Sequence, residues 1–155
     1  MQGNQTYRKR LQAGGSKMKT ISFTVYGDPK GKARPRITTI NNHARSFQTA
    51  KQNAVENYIK MAYLETAESV YFNGALSVRI IAYFPIPKSA SKKKREEMLI
   101  GSIRPVIKPD CDNILKCVED ALNRIAYDDD KQIVDSSISK YYSDRPRTEI
   151  EIREL

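Results

Sequence analysis

At 155 residues, 39% apolar and 29% charged, the chain is long enough for one domain with a core and too short for two comfortable ones. No apolar run approaches the roughly 20 residues of a membrane span, and the basic N-terminus lacks the apolar segment of a secretory signal, so a cytoplasmic protein is expected. The net charge of +9 is unevenly placed: residues 1–109 carry 20 Lys and Arg against 6 Asp and Glu, whereas residues 110–155 carry 7 against 12. Such a molecule attracts a polyanion yet offers it a local acid pocket, which repels phosphate unless a divalent cation sits there. A plain basic DNA-binding module has no need of that pocket.

Residues 1–18, with Arg8 Lys9 Arg10 and Gly14 Gly15 Ser16, show no apolar period and are expected to form a flexible basic tail ahead of a single domain over 19–155. Ile21, Phe23 and Val25 alternate with polar residues, predicting a half-buried strand over Thr20 to Tyr26 that Gly27 and Pro29 end. Next comes a cationic segment, Lys30 Gly31 Lys32 Ala33 Arg34 Pro35 Arg36, which is either a solvated loop or a set of phosphate contacts. Asn41 Asn42 His43 predicts a turn joining Ile37–Ile40 and Ala44–Phe47 as a hairpin.

From Thr49 to about Glu65 the spacing predicts a helix, with Val55, Tyr58, Ile59 and Ala62 toward the core and Gln52, Glu56 and Lys60 on another face. Leu76, Val78, Ile80, Ala82 and Phe84 predict a long strand ended by Pro85 and Pro87. Lys88 to Arg95 holds five bases in eight residues, and Ser91 opens a short helix running through Met98 to Ile100. A strand over Gln132 to Tyr142 and a last one holding Ile150 and Ile152 complete the pattern. The order of elements predicts an α+β fold, one domain with a mixed β-sheet packed against helices.

The densest chemistry lies in Lys108 Pro109 Asp110 Cys111 Asp112 Asn113 Ile114 Leu115 Lys116. A helix is expected just past the proline, with Ile114, Leu115, Val118, Ala121, Leu122 and Ile125 on its apolar arc and Asp112, Lys116, Glu119, Asp120 and Asn123 on its polar one. Asp110 and Asp112 at i and i+2 suit a hard cation such as Mg²⁺ or Mn²⁺, or else they cap the helix. A calcium EF-hand is excluded because its sixth position would be Leu115 rather than glycine. Cys111 and Cys117 with the single His43 are too few soft ligands for zinc, and two reduced thiols are expected.

Asp128 Asp129 Asp130 is a second acid cluster, otherwise a solvated turn. A helix from Asp112 to Ile125 rises about 20 Å, while the residues from Ile125 to Asp130 span at most about 17 Å. Asp130 is thus the acid of the three best able to return toward the helix start. Lys116 either pairs with Asp112 or Asp120 at i±4, or stabilises charge in a reaction.

Taken together, Lys108 Pro109 Asp110 x Asp112 Asn113 x x Lys116, then Asp120 Ala121 Leu122 Asn123 and Asp129 Asp130 x Gln132 Ile133 Val134, resemble the RusA-like family of Holliday-junction resolvases. Gly27 x Pro29 x x Lys32 x Arg34 Pro35 Arg36 resembles that family's N-terminal signature. The resemblance implies a RusA-like fold and a homodimeric endonuclease that nicks four-way DNA junctions symmetrically. It further implies Mg²⁺, with Mn²⁺ a possible substitute, held by Asp110, Asp112 and Asp130. Lys116 matches the family's essential lysine, and Lys32, Arg34 and Arg36 are expected to bind DNA. One departure is the turn Asn123 Arg124 Ile125 Ala126, which lacks the family's usual glycine. The competing expectations are a less selective metal-dependent nuclease and a noncatalytic basic DNA-binding protein.

Overall fold

The computed structural model describes residues 18–33, 36–40 and 43–155. All but the last residue of the expected tail, as well as Arg34, Pro35 and the predicted turn at Asn41 and Asn42, lie outside them. Strand β1 (Thr20–Tyr26) pairs antiparallel with β6 (Arg147–Glu154), setting Phe23 opposite Ile150 and Ile21 opposite Ile152. β6 in turn pairs antiparallel with β4 (Leu76–Pro85), which pairs parallel with β5 (Ile133–Ser143). The resulting sheet has the order β1-β6-β4-β5 and is mixed, as expected. A parallel pair needs a long crossover, and the segment between β4 and β5 supplies it, carrying both helices that follow β4.

One sheet face presents Phe23, Val78, Ile80, Ala82, Phe84, Ile150 and Ile152, all buried. Helices α1 (Ala50–Ala67) and α3 (Cys111–Leu122) cover it through Ile59, Tyr63 and Ala67 and through Ile114, Cys117, Val118, Ala121 and Leu122. Each such side chain fully removed from water contributes about 1.5–3 kcal/mol for the larger residues. The opposite face carries Thr24, Arg79, Glu149 and Glu151 and stays wet, which is the alternation read from the sequence.

Local chemistry sets the helix starts. The Thr49 hydroxyl accepts the Gln52 N–H at 3.2 Å, and the Ser91 hydroxyl accepts the Lys94 N–H at 3.4 Å to open α2 (Lys92–Leu99). Strands β2 (Arg36–Ile40) and β3 (His43–Phe47) form the expected hairpin, although His43 belongs to β3 opposite Ile40 rather than to the turn. None of the helices among the described residues is long and apolar enough to cross a membrane.

Two expectations need correction. Helix α3 stops at Leu122 instead of running to Ile125, because Arg124 adopts a left-handed backbone (φ 62) and its N–H turns to the Tyr127 carbonyl at 2.7 Å. Arg124 thus occupies a conformation usually given to glycine. On α1, Tyr58 is half exposed, whereas Gln52 and Glu56, predicted on a polar face, are only 4% and 8% exposed. The reason lies in what reaches them from another element.

Candidate active site

Asp110 occupies the N-cap position of α3 with an extended backbone (φ −72, ψ 159), but its carboxylate makes no capping hydrogen bond. Asp112 follows in the first turn. Both are exposed, and neither takes part in an ion pair or side-chain hydrogen bond among the described residues. The capping role that competed with metal binding is therefore not what occupies the Asp110 side chain.

Asp110 lies on a cleft of 780 Å³ walled by Asp28, Pro29, Lys30, Gly31 and Lys32 on one side, the end of β4 on another, and Ile107 to Asp110 with Asn113 on the third. One wall of the cleft is set by the segment after β1, which is fastened to both α3 and α1. The Lys32 N–H donates to the Asn113 carbonyl at 2.8 Å, and Ala33 N–H to Gln52 Oε1 at 2.9 Å. Lys30 and Lys108 line the cleft with exposed side chains that form no ion pair among the described residues.

Asp130 is delivered by a 3₁₀ turn (Asp130–Gln132). Gln132 builds this turn: its Oε1 accepts the N–H groups of Asp128 and Asp129 at 2.9 and 3.2 Å, and its Nε2 donates to the carbonyls of Phe72 and Gly74 at 3.3 and 3.1 Å. Asp129 accepts the Lys131 N–H at 2.9 Å, which holds its carboxyl below the usual range. Of the three acids, Asp130 meets α3, with Oδ2 2.7 Å from Lys116 Nζ.

Lys116 is shared. Its ammonium also lies 2.9 Å from Asp120 Oδ1, one turn further along α3. Hydrogen bonds to Asp130 and then Asp120 outweigh partial burial and push the Lys116 pKa well above the ordinary lysine value. Of the two i±4 partners expected, Asp120 is the one Lys116 meets, and Asp112 is not among its contacts. Burial pushes Glu119 above the ordinary carboxylate range; Lys116 opposes this, while Asp130 and Asp120 add to it.

The chain of charges continues past Asp120. Its second oxygen, Oδ2, lies 3.0 Å from Lys32 Nζ, which also contacts Glu56 Oε1 at 2.6 Å. Gln52 Nε2 donates to that same Glu56 oxygen at 3.1 Å. Desolvation lowers the Lys32 pKa, but the bonds to Glu56 and Asp120 prevail and leave it raised. Thus Lys32, expected to face DNA, has its amine on two carboxylates; Arg36 opens β2, and Arg34 lies outside the described residues.

As donors, Asp110 and Asp112 suit a hard divalent cation, being oxygen ligands that no other group among the described residues engages. Among the described residues, however, no group of three or more His, Cys, Asp or Glu stands close enough to hold a metal ion. Asp110, Asp112 and Asp130 are not gathered into such a group, and Asp130 Oδ2 is bonded to Lys116 instead. Sequence reasoning missed Gln52 and Glu56, whose spacing with Lys60 looks like a wet helix face. It carried no signal for them, since their cation arrives from a loop 24 residues away from Glu56.

These features define a basic α+β protein with an exposed acid on a cleft that lysines also line. Residues 26–153 match the family model described as endodeoxyribonuclease RusA, and the chain belongs to that family of DNA-cleaving hydrolases. It is also similar to a protein of Bacillus subtilis (strain 168) named "Uncharacterized protein YqaN", at 41% identity over 140 residues that cover 89% of this chain and 99% of the other.

Proposed function

We propose that the protein is a metal-dependent endodeoxyribonuclease that resolves four-way DNA junctions by paired nicks, acting as a homodimer. The observation that carries this reading is Asp110, an N-cap residue whose carboxylate does no capping and instead lies on a large cleft lined also by Lys30 and Lys108, which form no ion pair among the described residues. Asp110 and Asp112 would hold Mg²⁺ or Mn²⁺, with Asp130 as a third acid held on Lys116 rather than gathered with them, and the ion would supply a polarised phosphoryl oxygen and an activated water.

The chain's own residues divide the remaining work. Lys30 and Lys108 contact backbone phosphates on either side of the cleft and set the strand's path past Asp110. Lys116 stays protonated at neutral pH, since its pKa is raised, so it acts as a fixed positive charge beside the acids rather than as a base. Cutting two strands symmetrically requires two such sites related by a twofold axis, which is the basis for the dimer.

Cleavage of a labelled four-way junction is compared with linear duplex and flaps of matched sequence during a Mg²⁺ titration, beside Asp112→Asn. The junction is expected to be cut in paired positions, and the variant to lose most of its activity while unfolding within a few degrees of wild type, since in the first turn of α3 Asn gives up only the charge–dipole interaction of Asp, about 0.3–1 kcal/mol. Equal cleavage of all three substrates would favour a less selective nuclease. Retained cleavage by Asp112→Asn would refute the assignment of the acids.

A further inference from the structure

We propose that Lys32 is a positioning residue of the nuclease site, fixing the Asp120–Lys116–Asp130 chain of charges, and that it does not contact DNA. The proposal rests on the nuclease reading above and departs from the phosphate-binding role expected of this basic segment.

The first support is how completely the amine is engaged. An ammonium has three N–H donors, and carboxylates stand 2.6 and 3.0 Å from this one. The three side chains are mostly shielded, at 18% exposure for Lys32, 10% for Glu56 and 21% for Asp120. A DNA phosphate drawing Lys32 away would leave two acids facing each other in a partly dry place, which is costly.

Second, Asp120 divides its two oxygens between two lysines, Oδ2 to Lys32 and Oδ1 to Lys116. Lys32 therefore fixes the plane of the Asp120 carboxylate, which fixes where the Lys116 ammonium sits, and Lys116 in turn holds Asp130. Without Lys32, Asp120 keeps only its contact with Lys116, which leaves the plane of its carboxylate, and with it the distance between Lys116 and the acids, less firmly set.

Third, the segment bearing Lys32 has no freedom to swing toward a substrate. Its N–H is bonded to Asn113, the next N–H to Gln52, and the preceding Gly31 packs so tightly that an added Cβ would lie 2.7 Å from Pro109 Cβ. Gln52 donates to the same Glu56 oxygen that Lys32 contacts. Lys30, beyond Gly31, is by contrast exposed along the cleft and makes no ion pair among the described residues. The two neighbouring lysines thus have separate tasks.

The test uses the full chain, Lys32→Met, Lys32→Arg and Lys30→Met. Junction affinity is measured in EDTA across a range of salt, and single-turnover cleavage with Mg²⁺ at saturating protein. Lys32→Met is expected to keep the wild-type affinity and salt slope while cleavage slows about tenfold to hundredfold, the cost of a slight misplacement of reacting groups. Lys32→Arg, which restores the cation, recovers part of that loss. Lys30→Met weakens binding and lowers the slope by about one. If Lys32→Met reproduces the Lys30→Met change in slope, or cuts at the wild-type rate, the proposal fails.

Should Lys32→Met not fold, judged by circular dichroism, Asp120→Asn carries the same test. Slower cleavage at unchanged affinity supports the positioning chain, and wild-type cleavage overturns it. A wild-type protein that cuts no DNA would refute the nuclease reading itself, whereas the salt slopes would still report whether Lys32 touches the junction.

Discussion

Gly31→Ala is the smallest change that should loosen the site without altering any charge. An added Cβ would fall 2.7 Å from Pro109 Cβ and 3.1 Å from Asn113 Cβ, whereas carbon atoms in contact prefer about 3.5–4.0 Å. Neither neighbour is the far end of a flexible side chain, so the segment must move off α3 by about 1 Å. Overpacking of this kind costs about 1–3 kcal/mol. Weakening the bonds from Lys32 N–H to Asn113 and from Ala33 N–H to Gln52 adds about 1 kcal/mol, and lower unfolded-state entropy returns part of it. A net loss of about 2–3 kcal/mol lowers Tm by roughly 5–10 °C in a chain of this size. Urea unfolding followed by tyrosine fluorescence measures it, since the chain has nine tyrosines and no tryptophan. A variant with the wild-type midpoint would refute the idea that this close approach seats the segment.

Two further outcomes follow from the ionisable groups. The Lys32 pKa is raised in the fold above its ordinary 10.5, so its ion pairs contribute fully below that pH and are lost as pH rises through the higher folded value. The Tm difference between wild type and Lys32→Met should hold from neutral pH to about 10 and shrink above it; a difference that grows with alkali would contradict the pairing. Cys111 is exposed and Cys117 buried, with burial pushing the Cys117 thiol up against a weaker opposing contact from Gln52. A thiol reagent should therefore label one equivalent in the native protein and a second only on unfolding, and rapid labelling of both would count against the packing of α3.

How far the sequence reached depends on the range of the interactions involved. The buried face of α3 was legible because apolar spacing is a local property: Ile114, Val118, Ala121 and Leu122 are buried, and only Ile125 fell beyond the helix end. β1, β4 and β6 were legible for the same reason, each showing alternation on a sheet with one dry face. The starts of α1 and α2 were written in Thr49 and Ser91. The early end of α3 was not, since an arginine in a left-handed turn carries no propensity signal.

The sequence by itself determined the elements, the mixed α+β class and the crowding of acids around Lys116, because these follow from periodicity, capping and composition. Only the tertiary structure decided which charges meet. It turned Gln52 and Glu56 inward and brought Asp130 onto Lys116, and it placed Lys32 between Glu56 and Asp120. A polar side chain is buried when a partner replaces its water, and here Lys32 reaches Glu56, the Ala33 N–H reaches Gln52 and Asp130 reaches Lys116 from other elements, beyond the few residues over which a sequence pattern can be read.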